Sequence, residues 1–223
     1  MLQWLIEGAP ESEQSIDALV LRMVEVNMSA LHTTGATLYE CLFRLALHPE
    51  YIPGLRHEVE CTITHNGWTK AAMARLVKLD SFMRETHRFS GATLAPMGRK
   101  VVGKGFTFPN GLHLPAGTAV SIPETLHMDE REYENAHVFD GFRFSKPFER
   151  DEDAQGISND GSKRKYFTTA SPNYLRFGYG HGVVSCPGFS VSYCLLLNVH
   201  EANVPGSAQD DFSQPIRLKL YFV

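Results

Sequence analysis

A chain of 223 residues, 43% of them hydrophobic, is long enough to bury a core of one or two units. Its formal net charge of -4, with no basic cluster longer than Lys163-Arg164-Lys165, argues against a nucleic-acid surface and leaves small apolar partners as the expectation. Cys41, Cys61, Cys186 and Cys194 form no C-x-x-C pair, so neither a zinc ribbon nor a dense disulfide framework is indicated and a reducing compartment is the default.

Met1 to Ile6 lacks the cationic flank and apolar length of a signal peptide, and no apolar run of about 18 residues occurs, so no membrane anchor is expected within these residues. From Ser15 to His48, Val20, Met23, Val24, Asn27, Leu31, Leu38, Cys41, Leu42 and Leu45 recur at helical spacing without a proline until Pro49. That predicts one long helix of about 50 Å, suited to a central strut. Its middle, Ser29 to Gly35, is small and hydroxylic where propensity favours Leu, Glu or Ala, which fits either a close helix crossing or a groove against a ligand. After a turn at His65-Asn66-Gly67, a second helix is predicted over Lys70 to Phe89, with Leu76, Leu79, Phe82 and Met83 on its apolar face. Glu85 and Arg88 fall three apart on it, a spacing that by itself describes an ordinary solvated ion pair.

Short β-prone runs follow at Leu94 to Val102, Phe106 to Phe108, Leu112 to Leu114 and Thr118 to Ile122, with Asn110-Gly111 as a hairpin turn, and predict one small sheet beside the helices. Residues 150 to 165 are charged and small without an apolar period, hence a solvent loop. Asp151-x-Asp153 does not make a calcium loop, because Ser162 stands where the closing glutamate belongs. Gly178-x-Gly180 is no dinucleotide fingerprint, since Val183 takes the third glycine's place, and Ser185 lacks the glycines of a nucleophile elbow. What remains is YGHGVVSCPG, residues 179 to 188, where glycine and proline shape a loop that presents the thiol of Cys186.

In combination these signals resemble one family. A long helix with a central Ala-x-His-Thr-Thr, a Glu-x-x-Arg helix, the run Phe139-Asp140-Gly141-Phe142-Arg143-Phe144 and a glycine-rich cysteine loop, in that order, are similar to the C-terminal half of a cytochrome P-450, most like the fungal microsomal branch. The match covers about residues 15 to 195, and residues 196 to 223 form an atypical tail. The resemblance implies a mainly α fold with small β-sheets (α+β), and a single C-terminal fragment over residues 1 to 223. It also implies haem b, with iron held by the Cys186 thiolate, whose anionic sulfur favours O–O cleavage.

Further roles follow from the resemblance alone. Phe177, Tyr179, Gly180, Gly182 and Gly188 match the cysteine loop in two registers. Tyr179 and Gly182 keep the family's spacing to Cys186, and loop length favours that register; Phe177 and Gly180 supply the usual residue types with two residues inserted. The basic residue that usually follows the loop's glycine is replaced by Val183 or His181, and Arg99 matches another propionate-binding position. Glu85, Arg88 and Arg143 match a buried charge triad. Thr33 and Thr34 match residues on the oxygen side of the haem, with His32 where relatives carry an acid. The implied function is a haem-thiolate monooxygenase that acts on an apolar small molecule with dioxygen and an NADPH-dependent reductase, in a branch anchored on the cytosolic face of the endoplasmic reticulum. The alternative is a truncated, non-enzymatic remnant that keeps the scaffold without holding haem productively.

Overall fold

The structure is a computed structural model and describes residues 2–90, 98–148 and 165–179. A short helix α1 (Leu2–Gly8) and a 3-10 turn at Glu11–Glu13 lead to Ser15, whose side chain accepts from Ala18 N and starts α2 (Ile16–Leu47). At 32 residues α2 spans about 48 Å. Its two halves sit differently. Cys41 and Leu45, near the C-terminal end, enter the core, whereas Val20, Val24 and Leu31 stay more than half exposed although the same period places them on the helix. The periodicity gave the helix, and the neighbours decide which of its turns are covered.

A helix that was not expected, α3 (Ile52–Asn66), follows a 3-10 turn at Pro49–Tyr51. Its signals are a proline in the first turn and Ile52, Leu55, Val59 and Ile63 at helical spacing, of which Leu55 and Val59 are fully buried. The helix expected over Lys70 to Phe89 is two helices, α4 (Lys70–Ala74) and α5 (Val77–Phe89). Leu76 leaves helical geometry at φ -77, ψ 81 to bury its side chain. Glu58 of α3 then caps the new N-terminus: its Oε1 accepts from Lys78 N at 2.7 Å and its Oε2 from Leu79 N at 2.9 Å. A carboxylate is well placed there, because the first amides of a helix lack intrahelical acceptors.

The single sheet that was expected is two separate antiparallel ladders. β1 (Arg99–Lys100) pairs with β4 (Ala119–Val120), and β2 (Phe106–Thr107) pairs with β3 (His113–Leu114). Asn110-Gly111 does turn the second ladder: Gly111 adopts φ 87, and Asn110 Oδ1 accepts from Leu112 N. The core lies between α2, α3 and α5 and is closed by Phe139 and Phe167 from the two segments after the strands. The 32-residue helix, the small ladders and these irregular segments together make a mainly α protein with small β elements. Among the described residues no helix is long and apolar enough to cross a membrane.

Candidate functional site around the Glu85 network

α5 carries polar residues where a core helix would carry leucines. Ser81, Arg84, Glu85 and Arg88 recur at i, i+3, i+4 and i+7, a stripe on one face, and all four are buried. Buried polar groups need partners, and these find them in backbone that has no ladder of its own. Ser81 Oγ donates to Gly141 O and accepts from Phe144 N, each at 3.0 Å. Arg84 Nη1 donates to Tyr166 O at 2.6 Å, while its guanidinium lies 4.0 Å from the Tyr174 ring centroid. Asp80, on the same helix, accepts from Phe167 N at 3.0 Å.

Glu85 is the hub. Arg88 donates to it bidentately, Nε to Oε2 and Nη2 to Oε1, both at 2.8 Å, and both side chains are wholly buried. Arg143 Nε reaches the same carboxylate at 3.1 Å, and Asp140 N donates to Oε1 at 3.0 Å. Each arginine also grips backbone: Arg88 Nη1 donates to His127 O, and Arg143 donates to the carbonyls of Glu134, Asn135 and Val138. Residues more than fifty positions apart are thus joined through one carboxylate.

The same helix, together with His127 of the 3-10 turn Glu124–Met128, fastens the stretch that runs toward the cysteine loop. Leu175 N donates to His127 Nε2 at 3.1 Å, Arg176 Nη2 donates to Arg88 O at 3.1 Å, and Phe177 packs against the core with its ring parallel to that of His87. Gly178 then turns the chain at φ 79, and Tyr179 emerges half exposed. Cys186, Gly180, Gly182 and Gly188 lie outside the described residues, as do Cys194, the loop's His181 and Val183, and residues 150 to 164 of the expected solvent loop.

Two of the four thiols are described. Burial pushes the Cys41 thiol up to about 12, so it stays protonated and is no thiolate donor. Cys61 is exposed on α3 with the His57 ring 3.7 Å from its sulfur. Arg99 is exposed, with Nη1 donating to Gly98 O. Thr33 is exposed and Thr34 half-buried on α2. An added Cβ on Gly35 would meet nothing within 4 Å, so among the described residues no element crosses α2 closely there. Position 35 of α2 therefore faces space among the described residues.

His87 and His127 are both held neutral. Burial, then the charge of Arg176, lowers the His87 imidazole to about 4; burial, then Arg176 and Arg88, does the same to His127. Since folding depresses these groups below the ordinary 6.5, the unfolded chain binds the extra protons between the two values. Stability is expected to be full above about pH 6.5 and to fall steadily as pH drops toward about 4. Urea midpoints measured at pH 7.5, 5.5 and 4.5 test this; a flat profile across that window would mean that both rings are solvated.

Sequence reasoning missed Asp80, Ser81, Arg84 and His127 and gave Gly141 no role; the three on α5, Asp80, Ser81 and Arg84, share one signal. A polar stripe at helical spacing reads as a solvated face, yet here the helix has an opposite face rich in apolar side chains and an aromatic run, Phe139 to Phe144, for which a partner was needed. These observations define a class: a mainly α-helical protein whose Glu-x-x-Arg helix clamps the segment that runs into a glycine-rich cysteine loop. The chain belongs to the cytochrome P-450 family, whose profile matches residues 1–194. It is 39% identical over 191 residues to cytochrome P-450 monooxygenase 151 of Postia placenta, which covers 84% of this chain and 36% of that protein. It is 34% identical over 196 residues to ent-kaurene oxidase of Gibberella intermedia, covering 84% of this chain and 34% of that one. The chain thus spans about a third of the length of the curated relatives it matches.

Proposed function

We propose that this chain is the haem-holding part of a haem-thiolate monooxygenase, which inserts one atom of dioxygen into an apolar small molecule with electrons from an NADPH-dependent reductase. The observation that carries the reading is α5, whose buried Glu85 carboxylate holds Arg88 and Arg143 and whose Arg88 carbonyl accepts from Arg176 on the stretch leading to the cysteine loop. Family membership supports the reaction class, since relatives carry the names monooxygenase and ent-kaurene oxidase.

The described residues fit a haem in two respects. Arg99 exposes a planar fork able to pair with a propionate carboxylate, and Gly178 lets the chain leave the core just ahead of the loop. When bound, a thiolate-ligated haem supplies the activation of dioxygen. Cys186 is the residue assigned to iron. Thr33 and Thr34 are assigned to the oxygen side, where a hydroxyl can hold or pass a proton. Glu85, Arg88 and Arg143 serve as scaffold and touch no reactant. Packing of the half-buried Phe177 against the core, in contrast to exposure of Tyr179, supports Phe177 as the aromatic anchor of the loop, and hence a loop two residues longer than the Tyr179 register gives.

The exposed apolar row along α2, with Val20, Val24, Met28 and Leu31 each more than half exposed, favours a second reading for these 223 residues on their own: scaffold retained, haem weakly held. One experiment addresses both. Haem-loaded chain, reduced under carbon monoxide, is expected to give the red-shifted Soret band of thiolate ligation, and Cys186→Ser is expected to abolish it. A thiolate-type band that survives Cys186→Ser would overturn the ligand assignment, and its absence in the parent chain would favour the second reading.

A further inference from the structure

His87 is the residue immediately before the arginine of the Glu-x-x-Arg sequence, and three elements meet at its ring. Its Nε2 lies 2.8 Å from Thr37 Oγ1 on α2. Phe177 lies parallel to the ring at 5.8 Å and 5°, and Phe167 meets it edge-on at 4.8 Å. These two aromatic contacts fix the plane of the imidazole and keep Nε2 directed at α2. Thr37 is 5% exposed, and its Oγ1 is also 2.9 Å from Thr33 O. A carbonyl only accepts, and a threonine hydroxyl has one proton to give. That proton therefore goes to Thr33 O, and the hydroxyl oxygen must accept from the imidazole. The arrangement has one direction: His87 Nε2–H to Thr37 Oγ1, then Thr37 Oγ1–H to the carbonyl of Thr33.

We propose that His87 is a positioning residue that joins the stretch leading into the cysteine loop to the centre of the long helix, acting through Thr37 on the backbone of Thr33. A threonine that bonds back to the carbonyl four residues earlier loads that carbonyl beyond its ladder bond and bends the helix locally. A donor behind the hydroxyl fixes its rotamer and strengthens the back-bond, because hydrogen bonds in a chain polarise one another. His87 thereby sets the geometry of the turn that carries Thr33 and Thr34. The functional weight of that turn rests on the haem reading above; the hydrogen-bonded chain itself does not.

The test uses the 223-residue chain with ¹⁵N-histidine and carbonyl-labelled threonine. The wild type is expected to show His87 as the Nε2–H tautomer. Thr37→Val and His87→Leu should shift the Thr33 carbonyl resonance alike, and His87→Gln, whose amide can donate to the same oxygen, should restore it. Each of Thr37→Val and His87→Leu should raise the unfolding equilibrium constant by about threefold to tenfold, the range of one net hydrogen bond, and the double variant by little more than the larger single. An Nδ1–H tautomer, a Thr33 carbonyl indifferent to His87, or additive effects in the double variant would each overturn the proposal. Should His87→Leu fail to fold, the wild-type tautomer and the Thr37→Val shift decide the matter. Cys186→Ser should leave the His87 tautomer untouched, so a failed haem-ligand assignment and a failed positioning role give different results.

Discussion

Glu85→Gln is expected to destabilise the chain by about 3 to 5 kcal/mol, the cost of leaving buried charge without its partner. The carboxylate is wholly buried and takes donors from Arg88, Arg143 and Asp140, so neutralising it leaves two guanidinium groups facing each other across an amide. Arg88 has no exposed side-chain surface through which water could compensate, whereas 14% of the Arg143 side chain is exposed. Removal of Arg143 should therefore cost less than removal of the glutamate charge, because Glu85 keeps its bidentate partner. The ordering discriminates as well as the size. A solvated ion pair would lose less than about 1 kcal/mol from either change. Denaturant unfolding of Glu85→Gln and Arg143→Gln measures both, and a Glu85→Gln loss below about 1 kcal/mol would show that water reaches the network.

How far that network was legible depends on the residue considered. Glu85 and Arg88 stand three apart, and periodicity alone put them on one helical face; it could not say that the face was buried, because a polar stripe looks the same whether solvent or backbone satisfies it. Arg143 came from its place in a recognised motif order, since nothing local marks a residue 58 positions from its partner. The break at Leu76 escaped for a related reason. Leu76 continues the apolar period of a helix, but the carboxylate that makes a new helix start there belongs to Glu58, on another element. α3 needed no tertiary information to be legible, since Pro53 and the Ile52, Leu55, Val59, Ile63 spacing mark it. His87 and Thr37 are the opposite case, fifty residues apart with no motif to connect them, so only their 2.8 Å approach reveals the link.

Substitution of Gly141, within the run Phe139 to Phe144, carries the second large expected effect. Gly141→Ala should destabilise by about 1 to 3 kcal/mol through overpacking alone, since the residue's φ is not in the left-handed region. A methyl group there would stand 2.7 Å from Phe82 Cδ2 and 3.1 Å from Tyr51 Cε1. Neither ring can step aside easily. Phe82 is fully buried, edge-on to Tyr51 at 5.7 Å and to Phe139 at 5.6 Å, so moving it disturbs three rings of the core. Nor can the backbone retreat freely, because Gly141 O accepts from Ser81 Oγ, and the residue before it donates to Glu85. Backing away from Phe82 would pull that amide off the buried carboxylate, so the steric and electrostatic parts of the site are one structure. Phe82→Leu in the Gly141→Ala background should restore part of the loss, which pure backbone strain would not allow. Gly35→Ala provides the contrast: it lies inside α2 with nothing within 4 Å of its new methyl group, and it should stabilise by about 0.5 to 1 kcal/mol through helix propensity. If urea midpoints moved in the same direction for both alanines, contact with Phe82 would not be what keeps position 141 free of a side chain.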